Sequence, residues 1–317
     1  MNETKGTKVA IIGAGSVGAS IAFSFAMKQI CSELVLIDVN LEKAKGEVMD
    51  IIHGLPFLGH MVIKAGGYEE CKDCDLILVT AGIPRKPGET RMDLAVKNVK
   101  LSHMICNSIM ENYTKGTILI VSNPCDVNTY MFSKWTGLPA GRVFGSGTNL
   151  DSARFRSILC KRLGVDIQNV HGYMLGEHGE TQFPAWSATH IAGVPVIEYA
   201  KAQGIDLSEE VRDEICAETC RAGADIIKLK GATFYGIAVS CTTLAETILR
   251  DEHTIRPVCA VMNGEYGYSD VTLNVPCMIG KDGIEKIVEF PLTDDEKVRL
   301  AKSEENIRNV INSVIDL

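Results

Sequence analysis

The chain has 317 residues, 46% of them hydrophobic and 23% charged, and a formal net charge of −8 at pH 7. That much apolar mass excludes a disordered chain, and the length suits two lobes of ordinary domain size. The acidic balance excludes nucleic acid and anionic membrane surfaces as general partners, leaving small anions to be held by focused arginines.

In chain order, short β-branched runs alternate with longer helical patterns, as in a parallel sheet covered by helices. Strands are expected at Lys8–Ile12, Glu33–Ile37, Met61–Lys64, Leu76–Thr80, Thr117–Val121 and Arg142–Phe144. Between Thr80 and Val99 the segment TAGIPRKPGETRMDLAVKNV opens with two prolines and two glycines, so a loop is expected before a helix near Met92. Beyond Leu150 long helical stretches dominate, with shorter strand-like runs near Val170–Leu175, Val258–Val261 and Val275–Ile279. No Pro/Gly/Ser linker separates the halves, so they should pack tightly. Near the C-terminus Thr293 and Glu296 have capping-box spacing, and Leu300, Ile307, Ile311 and Val314 share one helical face. The expected class is α/β: a Rossmann doubly wound parallel sheet over residues 1–148, followed by an α+β catalytic domain over residues 149–317. There is no internal repeat and no low-complexity segment.

The 11 cysteines lack the dense spacing of a secreted scaffold, and the opening MNETKGTKVAIIG lacks the layout of a signal peptide. A reducing cytoplasm is therefore expected. Cys71 and Cys74 have CxxC spacing, but Cys216 and Cys220 are separated by three residues on an expected helix and complete no zinc set, so no metal is expected. No apolar run approaches the ~20 residues of a membrane span.

Gly13, Gly15 and Gly18 form GxGxxG directly after an apolar strand and directly before the apolar stretch Val17–Met27. In that context the first glycine permits a tight turn, the second leaves room for a pyrophosphate, and the third lets helix and strand pack closely. The helix N-terminus adds partial positive charge. Asp38 follows at the end of the second strand, where its carboxylate can accept from adenosine ribose hydroxyls and repel a 2′-phosphate, favouring NAD over NADP. The alternative is a packing turn and an aspartate that merely ends a strand before Asn40.

His178 lies in GEHGE, and Asp151 and Arg154 lie in NLDSARFR, where their i, i+3 spacing puts both on one helical face. Taken alone, these are a loop histidine and a surface ion pair. Together, however, GAGSVG, TAG, KPGETR, SNPCDV, GSGTNLDSARFR, GEHG and KGATFYGIA resemble the L-lactate branch of the lactate/malate dehydrogenase family. The motifs occur in the family's order from residue 13 to residue 238, covering most of the chain.

The resemblance implies an NAD-dependent dehydrogenase of small 2-hydroxy or 2-oxo acids. It implies that His178 donates a proton to the C2 oxygen while a hydride reaches C2, a task suited to imidazole. It makes Asp151 the partner that orients the ring and favours imidazolium. Arg154 would grip the substrate carboxylate through two parallel hydrogen bonds, and Arg91 would polarise the carbonyl once the loop closes. Asn123 and Thr233 would border the substrate, while Val17, Ala81, Gly82, Val121, Asn123 and Ser146 would line the cofactor beside the three glycines and Asp38.

One residue departs from the lactate pattern. Lactate enzymes of the family usually carry glutamine directly before the KPGETR-type stretch, whereas this chain has Arg85, as malate enzymes usually do. A second carboxylate, as in oxaloacetate, would pair with Arg85, while the methyl group of pyruvate would leave the guanidinium without an anion. GSGT and Glu177, by contrast, resemble the lactate branch. Arg156 and His171 match positions where many bacterial lactate enzymes bind fructose 1,6-bisphosphate across a subunit interface, and the same resemblance implies a symmetric homotetramer. Other classes that the sequence leaves open are an NAD- and metal-dependent glycosidase on a similar fold and a non-catalytic NAD-binding protein. The former needs a metal-ligand cluster that the sequence lacks, and the latter has no need of His178, Asp151, Arg154 and Arg91 together.

Overall fold

A computed structural model describes residues 6–83 and 91–315, with only the backbone for residues 91–93. The first half alternates strands β1 (Lys8–Ile12), β2 (Glu33–Ile37), β3 (Val62–Gly66), β4 (Leu76–Val79), β5 (Thr117–Ile120) and β6 (Val143–Gly145) with helices α1 (Ser16–Lys28), α2 (Leu41–Gly54), α3 (Arg91–Met110) and α4 (Cys125–Thr136). Each expected strand is present, its ends displaced by two residues at most. The sequence KVAII of β1 shows why the pattern works: Val9 and Ile11 join a core with Ile21 and Phe25 of α1, while Ala10 and Ile12 join a second core with Ile105 and Ile109 of α3. A strand of period two between two helical layers buries both sets of side chains.

The six strands pair in parallel in the order β3-β2-β1-β4-β5-β6. The chain leaves β1 on one side for β2 and returns on the other for β4, so a crevice opens at the carboxyl ends of β1 and β4, where the connections diverge.

The second half consists of α5 (Asn149–Leu163), β7 (Val170–His171), β8 (Met174–Leu175), β9 (Phe183–Pro184), β10 (His190–Ile191), β11 (Val194–Pro195), α6 (Val196–Gln203), α7 (Glu209–Lys230), α8 (Tyr235–Leu249), β12 (Thr254–Asn263), β13 (Ser269–Gly280), β14 (Gly283–Ile287) and α9 (Asp294–Val314). Strand β12 pairs antiparallel with β6 at Cys259 and Gly145, extending one sheet to nine strands. The run Val170–Leu175 is divided, because β7 pairs with β10 and β8 with β9. The break has a local cause, since side chains of α5 and the residue before it take the main chain of Met174: Ser152 Oγ accepts its N–H at 2.8 Å and Thr148 Oγ1 donates to its carbonyl at 2.6 Å.

The capping box forms at α9, with Thr293 Oγ1 accepting from Glu296 N and Glu296 Oε2 from Thr293 N. Leu300, Ile307, Ile311 and Val314 are all buried along its inner face. Among the described residues no helix is long and apolar enough to cross a membrane.

Candidate active site

The expected cofactor residues lie around the carboxyl ends of β1, β2, β4, β5 and β6. Gly13 adopts φ +107°, and a Cβ there would stand 2.9 Å from Ala81 N. At Gly18 a Cβ would stand 1.9 Å from Gly13 O, so strand and helix meet only because that position carries no side chain. Gly15 is different: a Cβ there would meet nothing within 4 Å. The open space lies over the first turn of α1, which has no acidic side chain and whose free N–H groups suit a phosphate. Val17, the second residue of the helix, is half-buried.

Asp38 ties the end of β2 to this loop, since Oδ2 accepts from Ala14 N at 2.7 Å and Oδ1 from Asn40 N at 2.8 Å. Each oxygen keeps a further lone pair that can accept from a hydroxyl, and its charge repels a phosphate. On the opposite rim Ala81 and Gly82 leave β4, and Asn98 of α3 clamps the next residue: its Oδ1 accepts from Ile83 N at 2.8 Å and its Nδ2 donates to Ile83 O at 3.2 Å. Val121 N donates to Val79 O at 2.9 Å and Ser146 N to Ile120 O at 2.8 Å, which keeps both residues at strand ends. Asn123 is exposed beside the cis Asn123–Pro124 peptide, its Oδ1 accepting from Cys125 N at 3.2 Å. This open cradle, the helix terminus and the Asp38 carboxylate at the end of β2 fit NAD.

The expected acid–base residues do come together. Asp151 sits in the first turn of α5 with 1% of its surface exposed, and Arg154 one turn later donates from Nη1 to its Oδ1 at 2.8 Å. The other carboxylate oxygen is 2.7 Å from Nδ1 of His178, which is carried by the loop after β8. The His178 main chain is held too, its N–H donating to Asp126 Oδ2 at 2.7 Å. Asp126, buried in the first turn of α4, accepts at Oδ1 from Asn274 Nδ2 of β13 at 2.9 Å. Asn274 also donates to Gly176 O at 2.8 Å and accepts from Thr148 N at 3.1 Å. Three segments distant in sequence thus fix one imidazole.

Burial disfavours the His178 imidazolium, but Asp151 at hydrogen-bond distance and Asp126 beneath outweigh it and raise the pKa to about 9. Burial also pushes the Asp151 carboxyl up, yet His178 and Arg154 hold it below the ordinary carboxylate range. For Asp126 burial prevails and the pKa is raised, against the opposing pull of His178 and Asn274. With Nδ1 committed to Asp151, Nε2 is left to meet a substrate oxygen. Arg154 faces Gly223 of α7, where a Cβ would lie 3.6 Å from both terminal guanidinium nitrogens.

Thr233 is half-buried in the turn between α7 and α8. Arg91 opens α3, but its side chain lies outside the described residues, as does the whole of Arg85. Arg156 and His171 share a cavity of about 560 Å³ with Arg256 of β12. The Nε atoms of Arg156 and Arg256 are buried with no hydrogen-bond partner among the described residues. Burial, and then the charge of Arg256, lower the pKa of Arg156.

Cys71 and Cys74 are buried, and burial pushes both thiols up to about 12, which keeps them protonated at neutral pH. Among the described residues only Asp251, His253 and Glu285 could converge on a metal, and all three are exposed. They form an ion-pair group, His253 Nε2 lying 3.3 Å from Glu285 Oε2, which contacts none of the site residues above.

Sequence reasoning missed Asp126, Asn274 and Arg256. Asp126 reads as an ordinary acidic residue at a helix start. Asn274 offered a signal, a lone amide in the apolar run TLNVPC, but no local feature names its partners.

Two family models match the chain: the lactate/malate dehydrogenase NAD binding domain over residues 7–145 and the alpha/beta C-terminal domain of the same family over residues 148–317. Among curated relatives, L-lactate dehydrogenase of Priestia megaterium is 46% identical over 94% of each chain. Among solved structures, minor L-lactate dehydrogenase of Enterococcus mundtii superposes with a TM-score of 0.94 at 39% identity, covering 97% of this chain and 98% of that one. L-lactate dehydrogenase of Clostridium thermocellum superposes with a TM-score of 0.86 at 50% identity, covering 97% of this chain and 99% of that one. The chain therefore belongs to the lactate/malate dehydrogenase family and is an NAD-dependent 2-hydroxy acid dehydrogenase.

Proposed function

We propose that the protein is an L-lactate dehydrogenase that interconverts pyruvate and L-lactate, with His178 as acid and base. The observation that carries this reading is the chain of contacts from Arg154 through Asp151 to His178 beside the dinucleotide crevice. One end of the Arg154 guanidinium is fixed by Asp151, and its remaining N–H groups grip the substrate carboxylate. Asp151 keeps Nδ1 protonated and stabilises the imidazolium, so Nε2 gives its proton to the C2 oxygen during reduction and takes it back during oxidation. NADH, when bound, supplies the hydride that reaches C2. Arg91 stabilises the charge that develops on the oxygen, and Asn123 and Thr233 border the substrate. Asp126 and Asn274 position the His178 main chain.

In this reading residues 1–148 serve the cofactor and residues 149–317 the substrate, with Asp126 reaching across from the first group to the second. The protein acts as a homotetramer, consistent with apolar side chains on the surfaces of α1 and α8: Phe23 and Met27 are 53% and 51% exposed, and Val239 of α8 is 56% exposed. Fructose 1,6-bisphosphate activates it at the cavity of Arg156, His171 and Arg256, where two crowded guanidinium groups suit a phosphate.

Arg85 is the specific residue that favours oxaloacetate as a second substrate. The test is NADH oxidation with pyruvate and with oxaloacetate, on this protein and on Arg85→Gln, with and without fructose 1,6-bisphosphate. The expected result is higher kcat/KM on pyruvate, a shift of about tenfold or more further toward pyruvate in Arg85→Gln, and a lower pyruvate KM with the bisphosphate. Oxaloacetate preference that reverses in Arg85→Gln would make malate dehydrogenase the right reading. A ratio unmoved by the substitution would place substrate selection elsewhere.

A further inference from the structure

Helix α7 packs along α5, and one of its faces carries Cys216 and Cys220. Both sulfurs converge on one main-chain oxygen: Sγ of Cys216 lies 3.9 Å and Sγ of Cys220 lies 3.8 Å from Gln182 O. Two thiols that share an acceptor are neighbours. Four residues of helix place their Cα atoms ~6.2 Å apart, inside the ~4.4–6.8 Å that a disulfide accepts. They are also the accessible thiols of the chain, for of its 11 cysteines only Cys160 shares their partial exposure and the rest are buried.

The surroundings separate the two sulfurs chemically. Cys216 lines a cavity of about 350 Å³ together with Arg212 and Arg299, and the Nε of Arg212 is buried with no hydrogen-bond partner among the described residues. Cys220 beside it, and then Arg299, hold the Cys216 thiol below its ordinary value against burial and Asp213, while Cys216, burial and the carboxylate of Asp151 push Cys220 up. Two neighbouring, partly exposed thiols beside two arginines suit attack on a peroxide by one sulfur and resolution by the other.

We propose that Cys216 and Cys220 form a reversible thiol–disulfide pair that transmits peroxide exposure to the active site. The Cys216 thiolate attacks hydrogen peroxide: an S–O bond forms, the O–O bond breaks, and the departing hydroxide takes a proton to become water. The Cys220 thiol then loses its proton and attacks the Cys216 sulfur; the S–S bond forms, the S–O bond breaks, and a second water leaves. Two thiols lose two electrons, and one peroxide becomes two waters.

On a helix, Cβ atoms four residues apart are ~5–6 Å from each other, whereas a disulfide needs ~3.5–4.5 Å. The bond therefore requires α7 to tighten locally, and the strain makes it easy to reduce, as suits a regulatory bridge. The movement has two routes to the site. Gly223 of the same helix packs on the Arg154 guanidinium, and Gln182, which loses both thiol donors, is four residues beyond His178 on the same loop. The expected consequence is a higher KM for pyruvate; this consequence rests on the substrate reading above, whereas the disulfide does not.

The test treats the reduced full-length protein with hydrogen peroxide, blocks remaining thiols by alkylation, and digests with trypsin, which cuts after Arg212 and Arg221 and releases both cysteines in the peptide 213–221. The expected peptide is unalkylated and two hydrogens lighter than the dithiol. Pyruvate KM rises severalfold in step with it, and dithiothreitol reverses both changes. Cys216→Ser and Cys220→Ser keep the basal activity, and their KM no longer responds to peroxide. A doubly alkylated peptide, or a sulfinic acid with no bridge, overturns the pair. A bridge with unchanged KM overturns the link to the active site, and an equal KM response in both serine variants assigns the oxidation to another thiol and overturns it as well. If the protein turned over no pyruvate, the peptide would still decide whether the bridge forms.

Discussion

Replacing Asp151 by asparagine keeps the shape of the site and removes the charge on which two cations depend. His178 stands at about 9 instead of its ordinary 6.5, and at ~1.4 kcal/mol per pKa unit that is about 3 kcal/mol of preference for imidazolium. Asp151 is the largest favourable contributor, at 2.7 Å from Nδ1 and almost wholly buried, so its loss lets burial bring His178 to 6.5 or lower. At neutral pH the protonated fraction then falls from nearly all to about a quarter or less. The amide can also hydrogen-bond the wrong tautomer, and comparable losses elsewhere reach ~10⁴-fold. The expected kcat/KM for pyruvate reduction is lower by about 10² to 10⁴. In the parent, reduction in the free enzyme declines as pH rises through about 9, and in the variant the decline moves to 6.5 or below. The stability effect has the same sign: a raised histidine contributes stability fully below pH 6.5 and loses it as pH rises through about 9, so the difference in Tm between parent and variant narrows above that pH. Steady-state NADH oxidation against pH, with Tm followed alongside, reads all of this. A variant whose kcat/KM stays within about twofold and whose midpoint does not move would refute the assignment of Asp151 as the group that keeps His178 charged.

The glycines of the cofactor loop separate folding from binding. Gly18→Ala forces a Cβ to 1.9 Å from Gly13 O and is expected to lower stability by about 1 to 3 kcal/mol and abolish NADH binding. Gly15→Ala meets nothing within 4 Å, so its Tm should match the parent while the NADH Kd rises. Thermal melts and NADH fluorescence titrations check both, and equal destabilisation by the two would contradict the packing described here. Arg154→Lys keeps the charge beside Asp151 but loses the planar fork, so pyruvate KM should rise about ten- to a hundredfold with the NADH Kd unchanged. A KM change below about threefold would remove Arg154 from the carboxylate site.

Much of this protein is written in local signals. After a charged first residue, the runs KVAII and ELVLI are short and apolar because both faces of β1 and β2 lie under helices, so their positions could be read without their partners. Gly13, Gly15, Gly18 and Asp38 were legible for the same reason: turn, helix terminus and strand end are all decided within one βαβ unit. Asp151 and Arg154 were legible as a pair because helical spacing alone brings them together.

What the sequence could not reveal depends on contacts between segments far apart in the chain. Asp126 and Asn274 are 148 residues apart, and only the pairing of β12 with β6 and of β13 with β12 brings their side chains to 2.9 Å beneath His178. The same extension of the sheet sets Arg256 beside Arg156 and turns two ordinary arginines into a crowded cationic cavity. The pKa of His178 belongs to this level as well, since it results from burial opposed by two carboxylates that no spacing rule brings together. Sequence by itself determined which elements form and which residue types stand ready for hydride and proton chemistry, because those follow from period, turn and motif. Tertiary structure alone decided which of those residues meet and how strongly each is charged, because hydrogen-bond geometry and desolvation depend on the packing of segments that are remote in sequence.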